Sequence, residues 1–143
     1  MVSVGVTKNS DFEGVVLHPC NIAEIRSLCS ADPIEALRSL SRWSAPRSYT
    51  VRDNDRILCF CGLDSKREMW LFFTDIDSLP VSFFRVMRDL CKEHQKSSPK
   101  IYGMIYEKNV FALRFAKFMR AKIYDPKPFG FKGDLYYKFE IGG

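Results

Sequence analysis

Few side chains in this sequence are of a type and spacing that could do chemistry. His18 and His94 are the only histidines, and neither falls into a Ser/His/Asp or Cys/His arrangement that would activate a nucleophile. His94 lies on the apolar face of an amphipathic segment, where a packed imidazole is commoner than a catalytic one. The five cysteines are Cys20, Cys29, Cys59, Cys61 and Cys91. Cys59 and Cys61 share an apolar, strand-like run, so they point to the same face and are poorly placed to bridge each other. No second pair stands at zinc-like spacing. We expect no metal and no disulfide, and a reducing compartment. Two clusters remain. Asp75 and Asp77 stand with Ser78 just before Pro80, where carboxylates suit the start of a helix. Lys108, Arg114, Lys117 and Arg120 recur at helical spacing and form a basic stripe that could receive an acidic protein or a phosphate.

The elements that position these residues follow from periodicity and breakers. Gly14 to Leu17 reads as a first strand ended by Pro19. Asn21 is a plausible N-cap with Glu24 in the capping-box position, and Ile22, Ile25 and Leu28 give the helix its apolar face. Asp32-Pro33 restarts the pattern as N-cap and first helical residue, giving a helix to about Trp43. Ser48–Arg52, Arg56–Leu63 and Glu68–Thr74 form an antiparallel meander, with turns at Asp53-Asn54-Asp55 and Asp64–Arg67. After Pro80, the residues Phe83, Phe84, Met87, Leu90, Cys91 and His94 mark one face of a strong amphipathic helix. Ile101–Tyr106 is the next strand, and Asn109 caps a helix from Val110 to about Arg120. The segment Lys122–Tyr124, a Pro/Gly loop over 126–134 and a strand Leu135–Ile141 follow.

The 143 residues fit a single domain, 1–143, and 46% hydrophobic residues supply a core. No apolar run approaches the roughly 20 residues of a membrane helix. Met1–Ser10 lacks a secretory h-region. The net charge of +5 favours acidic partners. Nucleic acid is not among those expected, because the phenylalanines read as core residues rather than as exposed stacking surfaces.

The segment from Asn109 through Ala112 and Arg114 to Ile123 resembles the GNAT N-acyltransferase signature N-x-x-A-x-R-x-x-x-x-x-G-F. Glu68-Met69-Trp70-Leu71-Phe72-Phe73-Thr74-Asp75 resembles the fourth strand of one branch, the acetyltransferase-like proteins of short-tailed bacteriophages, some described as internal virion proteins. Thr7–Glu13 and the Gly142-Gly143 end are similar to that branch too. The resemblance spans nearly the whole chain. It implies an α/β, GNAT-like fold with a mixed central sheet of about six to seven strands and about four helices. It also implies a wedge between Met69–Thr74 and Ile101–Tyr106 that holds acetyl-coenzyme A or another acyl-coenzyme A. The diphosphate would rest on the next helix's N-terminus. Under that resemblance Phe73, Thr74, Ser78 and Asn109 are the cofactor-binding residues. Asp75 is the catalytic base, best placed among Glu68, Asp75, Asp77 and Glu107. The branch implies action in the host bacterial cytoplasm or the virion, with a host protein or virion component as partner.

The sequence also departs from the family. The family loop Q/R-x-x-G-x-G/A lets backbone amides converge on phosphates. Here it reads Thr74-Asp75-Ile76-Asp77-Ser78-Leu79-Pro80-Val81-Ser82, with no glycine and two carboxylates. Each negative charge near a diphosphate costs roughly 1–4 kcal/mol, depending on the local dielectric. Ala116 stands where many members have an acidic tyrosine, and Arg120 replaces the family glycine. These departures suggest an alternative: a non-catalytic protein-binding module that modulates a host enzyme or serves virion assembly.

Overall fold

The computed structural model describes residues 1–142. Strand β1 (Val2–Val6) is followed by a 3-10 turn over Asn9–Phe12, then helices α1 (Pro19–Leu28) and α2 (Pro33–Ser44). Strands β2 (Ser48–Asp53), β3 (Arg56–Leu63) and β4 (Met69–Phe73) precede α3 (Val81–Gln95). The chain then runs β5 (Lys100–Tyr106), α4 (Val110–Phe118), β6 (Lys122–Ile123), β7 (Lys127–Phe129) and β8 (Asp134–Gly142). Among the described residues no helix is long and apolar enough to cross a membrane.

The first strand lies at β1, not at Gly14–Leu17, which is irregular. β1 forms because it pairs antiparallel with β2, Val2 opposite Asp53; only Val2 of its five residues is buried, so its own pattern carries little signal. Helix α1 starts three residues earlier than expected, with its N-cap at His18 rather than Asn21. His18 accepts from the Cys20 N–H, and Pro19 supplies the first helical φ. The loop over 126–134 contains β7, whose Pro128 is tolerated because the strand has a partner, β8, on one side only.

Alternation along the strands builds two cores. On one side of the sheet Phe60, Trp70 and Phe72 pack with Phe12, Leu17, Ile25 and Leu37 beneath α1 and α2. On the other, Cys59, Cys61, Leu63 and Phe73 pack with Phe83, Met87, Cys91 and Phe115 of α3 and α4.

The eight strands fall into two antiparallel sheets, β1-β2-β3-β4 and β5-β8-β6, with β7 also on β8. The two sheets are joined by one parallel bridge, between Glu68 just ahead of β4 and Tyr102 of β5, closed by the Tyr102 N–H on the Arg67 carbonyl at 3.1 Å. Beyond it the strands part. The approach depends on Gly103, where a Cβ would collide with the Phe139 ring and come within 3.1 Å of the Met69 carbonyl oxygen. Gly103→Ala is therefore expected to destabilise the protein by about 1–3 kcal/mol. Urea unfolding at neutral pH measures it; an unchanged midpoint would refute the close packing.

Candidate active site

Strand β4 turns alternate residues' hydrogen-bonding groups towards β3 and towards the gap. Thr74 N–H points back to the Leu58 carbonyl at 3.0 Å. Phe73 faces the gap, together with Leu71 and Met69 by the same parity. The open edge is partly claimed by α1. The Phe73 N–H donates to Asn21 Oδ1 at 2.8 Å, its carbonyl accepts from the His18 N–H at 2.8 Å, and Asn21 Nδ2 reaches the Leu71 carbonyl at 3.5 Å. Phe73 and Thr74, expected to offer their amides to a coenzyme, thus have both amides engaged, one by Asn21 and one inside the sheet. Among the described residues, the Leu71 N–H and the Met69 carbonyl are the groups left open on this edge.

The gap encloses a cleft of about 230 Å³, mostly apolar, with Met69, Leu71, Ile105, Ala112 and Ala116 among its walls. Its one strongly perturbed acid is Glu24 of α1. The carboxylate is buried and accepts from the Tyr106 N–H and Asn109 Nδ2, both at 3.4 Å. Burial pushes its pKa from 4.5 up to about 7, against the lowering effect of those two donors. No cation pairs with it among the described residues. A carboxyl tuned this way can exchange a proton near neutral pH. Asn109 does two jobs: its Oδ1 caps α4 through the Ala112 N–H at 3.1 Å, and its Nδ2 orients Glu24.

Asp75 lies elsewhere. Its carboxylate accepts from the Ser78 hydroxyl, from the Asp77 N–H at 2.8 Å and from Arg56 of β3 at 3.0 Å. The Ser78 hydroxyl first, then the Asp77 amide and Arg56, hold it below the usual carboxylate range. Asp75, the residue expected to act as base, is held by these contacts on the β3 side of β4. Ser78, which stands just ahead of α3, does not cap it. The N-cap position is Pro80, with no side-chain cap, and Ser78 is turned into the Asp75–Arg56 cluster. The loop's own carboxylate has taken an amide that a diphosphate would need.

Aromatic rings pack where α3 and α4 face each other and β4. Phe73 meets Phe111 edge-on at 4.8 Å, and Phe84 meets Phe118 at 5.4 Å. At the end of α4, Arg120 sits at φ 59°, the left-handed conformation for which the signature provides glycine.

Solved structures share this architecture. A GNAT-family acetyltransferase from Bacillus cereus superposes over 99% of this chain and 97% of its own, at 10% identity and a TM-score of 0.67. The chain takes the GNAT acetyltransferase fold. The ribosomal-protein-S18-alanine N-acetyltransferase of Escherichia coli matches over 99% of this chain and 94% of its own, at 11% identity and a TM-score of 0.61. The NatC complex, solved bound to Gag peptide and CoA, matches over 99% of this chain and 98% of the other, at 12% identity and a TM-score of 0.61. No family model matches the sequence, and no curated protein does. The fold class is α/β, as the resemblance implied. Its strands number eight in two sheets, because the splay divides what the sequence suggests is one sheet.

Proposed function

We propose that the chain is a GNAT-type N-acyltransferase that moves an acyl group from a coenzyme A thioester to an amine. The observation that carries this reading is Glu24, a buried carboxyl with a pKa of about 7 facing an apolar cleft between splayed strands. Met69 and Leu71 would pair with the amides of the pantetheine arm, and the apolar walls exclude water from the thioester. An amine entering beside Glu24 attacks the carbonyl carbon, the nitrogen's proton passes to Glu24, and the thiolate departs. Ala116 offers no acid, so the thiolate takes its proton from solvent once it has left the cleft. The diphosphate end fits less well, because Asp75 and Asp77 occupy its loop.

The test is thiol release from acetyl-coenzyme A with a panel of amines. Release should rise with pH through about 7 as Glu24 ionises. Asp75→Asn should lower the rate less than about threefold, because that carboxylate is confined to the loop. A loss of a hundredfold there would return the base to Asp75. No thiol release with any amine, and no coenzyme-dependent rise in melting temperature, would remove the acyltransferase reading.

A second reading follows from Asn21 and His18, which occupy the β4 edge as a substrate would. In it the chain is a non-catalytic, phage-encoded binding module that modulates a host enzyme or serves virion assembly. Mass spectrometry of purified particles and a stoichiometric host complex test its two forms.

A further inference from the structure

We infer that the acyl donor is delivered by an acidic carrier protein, on a phosphopantetheine arm, with the α3–α4 groove as its dock. The inference rests on acyl transfer at the cleft and names the donor for it. The groove is open and large, about 480 Å³ between the N-terminal half of α3 and the length of α4. A second hollow of about 240 Å³ continues it towards their C-terminal ends. Arg88 and Phe118 line both.

The lining has one sign of charge. Arg85, Arg88 and Arg114 border the first hollow, Lys92 and Arg120 the second, and no carboxylate borders either. All five cations are exposed, and none is paired with an acid among the described residues. Asp89 and Glu93, the acids of α3, border neither hollow. Arg120 keeps this place at φ 59°, a left-handed conformation that disfavours a side chain and that glycine would adopt freely. Five unpaired cations around an apolar floor of Phe84, Phe111 and Phe118 complement carboxylates set beside aliphatic side chains.

The groove also leads to the chemistry. Phe115 borders both the groove and the cleft, so the dock and the space that would hold the thioester share that ring as a wall. A carrier's arm brings one phosphodiester rather than a diphosphate, so the loop with Asp75 and Asp77 need not cradle one. A nucleotide or single-stranded nucleic acid fits less well. The Arg88 guanidinium already lies over the Phe118 ring at 4.7 Å, and the Phe84 and Phe118 rings pack edge-to-face, which leaves little open π-face for a base.

The experiment titrates fluorescently labelled, hexanoyl-loaded bacterial acyl carrier protein against the wild-type chain and against Arg88→Glu/Arg114→Glu. Circular dichroism confirms that the variant folds, and Arg88→Gln/Arg114→Gln gives a milder pair should it not. Saturable binding that weakens about tenfold or more in the variant, falls with added salt and survives 1 mM coenzyme A is the expected result. No binding at 100 µM carrier protein, or binding indifferent to the substitutions, overturns the proposal. It also falls if the substitutions weaken acetyl-coenzyme A binding instead, or if a 12-nucleotide oligo-dT displaces the carrier. Thiol-ester turnover is read separately with both donors and the amine panel. Turnover from acetyl-coenzyme A alone keeps the acyltransferase and discards the carrier; carrier binding without turnover from either donor keeps the dock and discards the acyltransferase.

Discussion

Replacing Glu24 with glutamine is expected to abolish amine acylation and, at pH 8, to make the protein more stable by about 3 kcal/mol. The two effects have one cause. Folding raises the carboxyl's pKa from 4.5 to about 7 because the ionised form loses its water. A raised folded-state pKa contributes stability that is complete below pH 4.5 and fades as pH climbs through 7. Between those two values the wild type loses about 1.4 kcal/mol for every pH step of one, while a glutamine does not titrate. Glutamine still accepts from the Tyr106 N–H and Asn109 Nδ2, the two donors that hold the carboxylate at 3.4 Å. Urea unfolding of both proteins at pH 4 and pH 8 gives the comparison: near-equal stability at the lower pH, divergence at the higher. Parallel curves would mean that the carboxyl is not buried as described. The acylation rate should fall by a hundredfold or more, since glutamine accepts no proton. A variant that acylates normally would remove Glu24 from the chemistry and leave only its place in the core.

Glu24 is hidden from the sequence for a physical reason. Locally it fits a capping box with Asn21, a pattern that asks nothing further of either residue. Its surroundings come from Tyr106, Asn109 and Tyr136, which lie 82, 85 and 112 positions away along the chain. No window of sequence contains that pocket. The helices α2, α3 and α4 are readable because cap and periodicity are local: Asp32 accepts from the Ile34 and Glu35 amides, and Asn109 caps as its type suggests. Strand β1 is not readable, since it is defined by a partner near position 50. The surroundings of Asp75 are hidden for a related reason. The strand before it is legible, yet the carboxylate is held by Arg56 across the hairpin, a partner that no local pattern names.

Asn21→Ala should separate folding from coenzyme binding, with opposite signs. Asn21 is 1% exposed, and its Oδ1 is the partner of the Phe73 N–H on the edge that borders the cleft. Removing it strands a buried amide, at a cost of about 1–3 kcal/mol, visible as a lower urea midpoint. The Leu71 carbonyl loses a weaker contact at 3.5 Å, and His18 still holds the Phe73 carbonyl, so α1 stays docked. With the amide vacant, an incoming pantetheine carbonyl no longer competes with a resident side chain. The binding energy recovered is that of one net hydrogen bond, about 1 kcal/mol, or roughly fivefold in the dissociation constant of acetyl-pantetheine by calorimetry. A less stable variant that binds the arm more tightly identifies Asn21 as an occupant of the thioester's place. Weaker binding together with lost stability would instead make Asn21 part of the surface that grips the substrate, and would leave the β4 edge as a structural seam closed by α1.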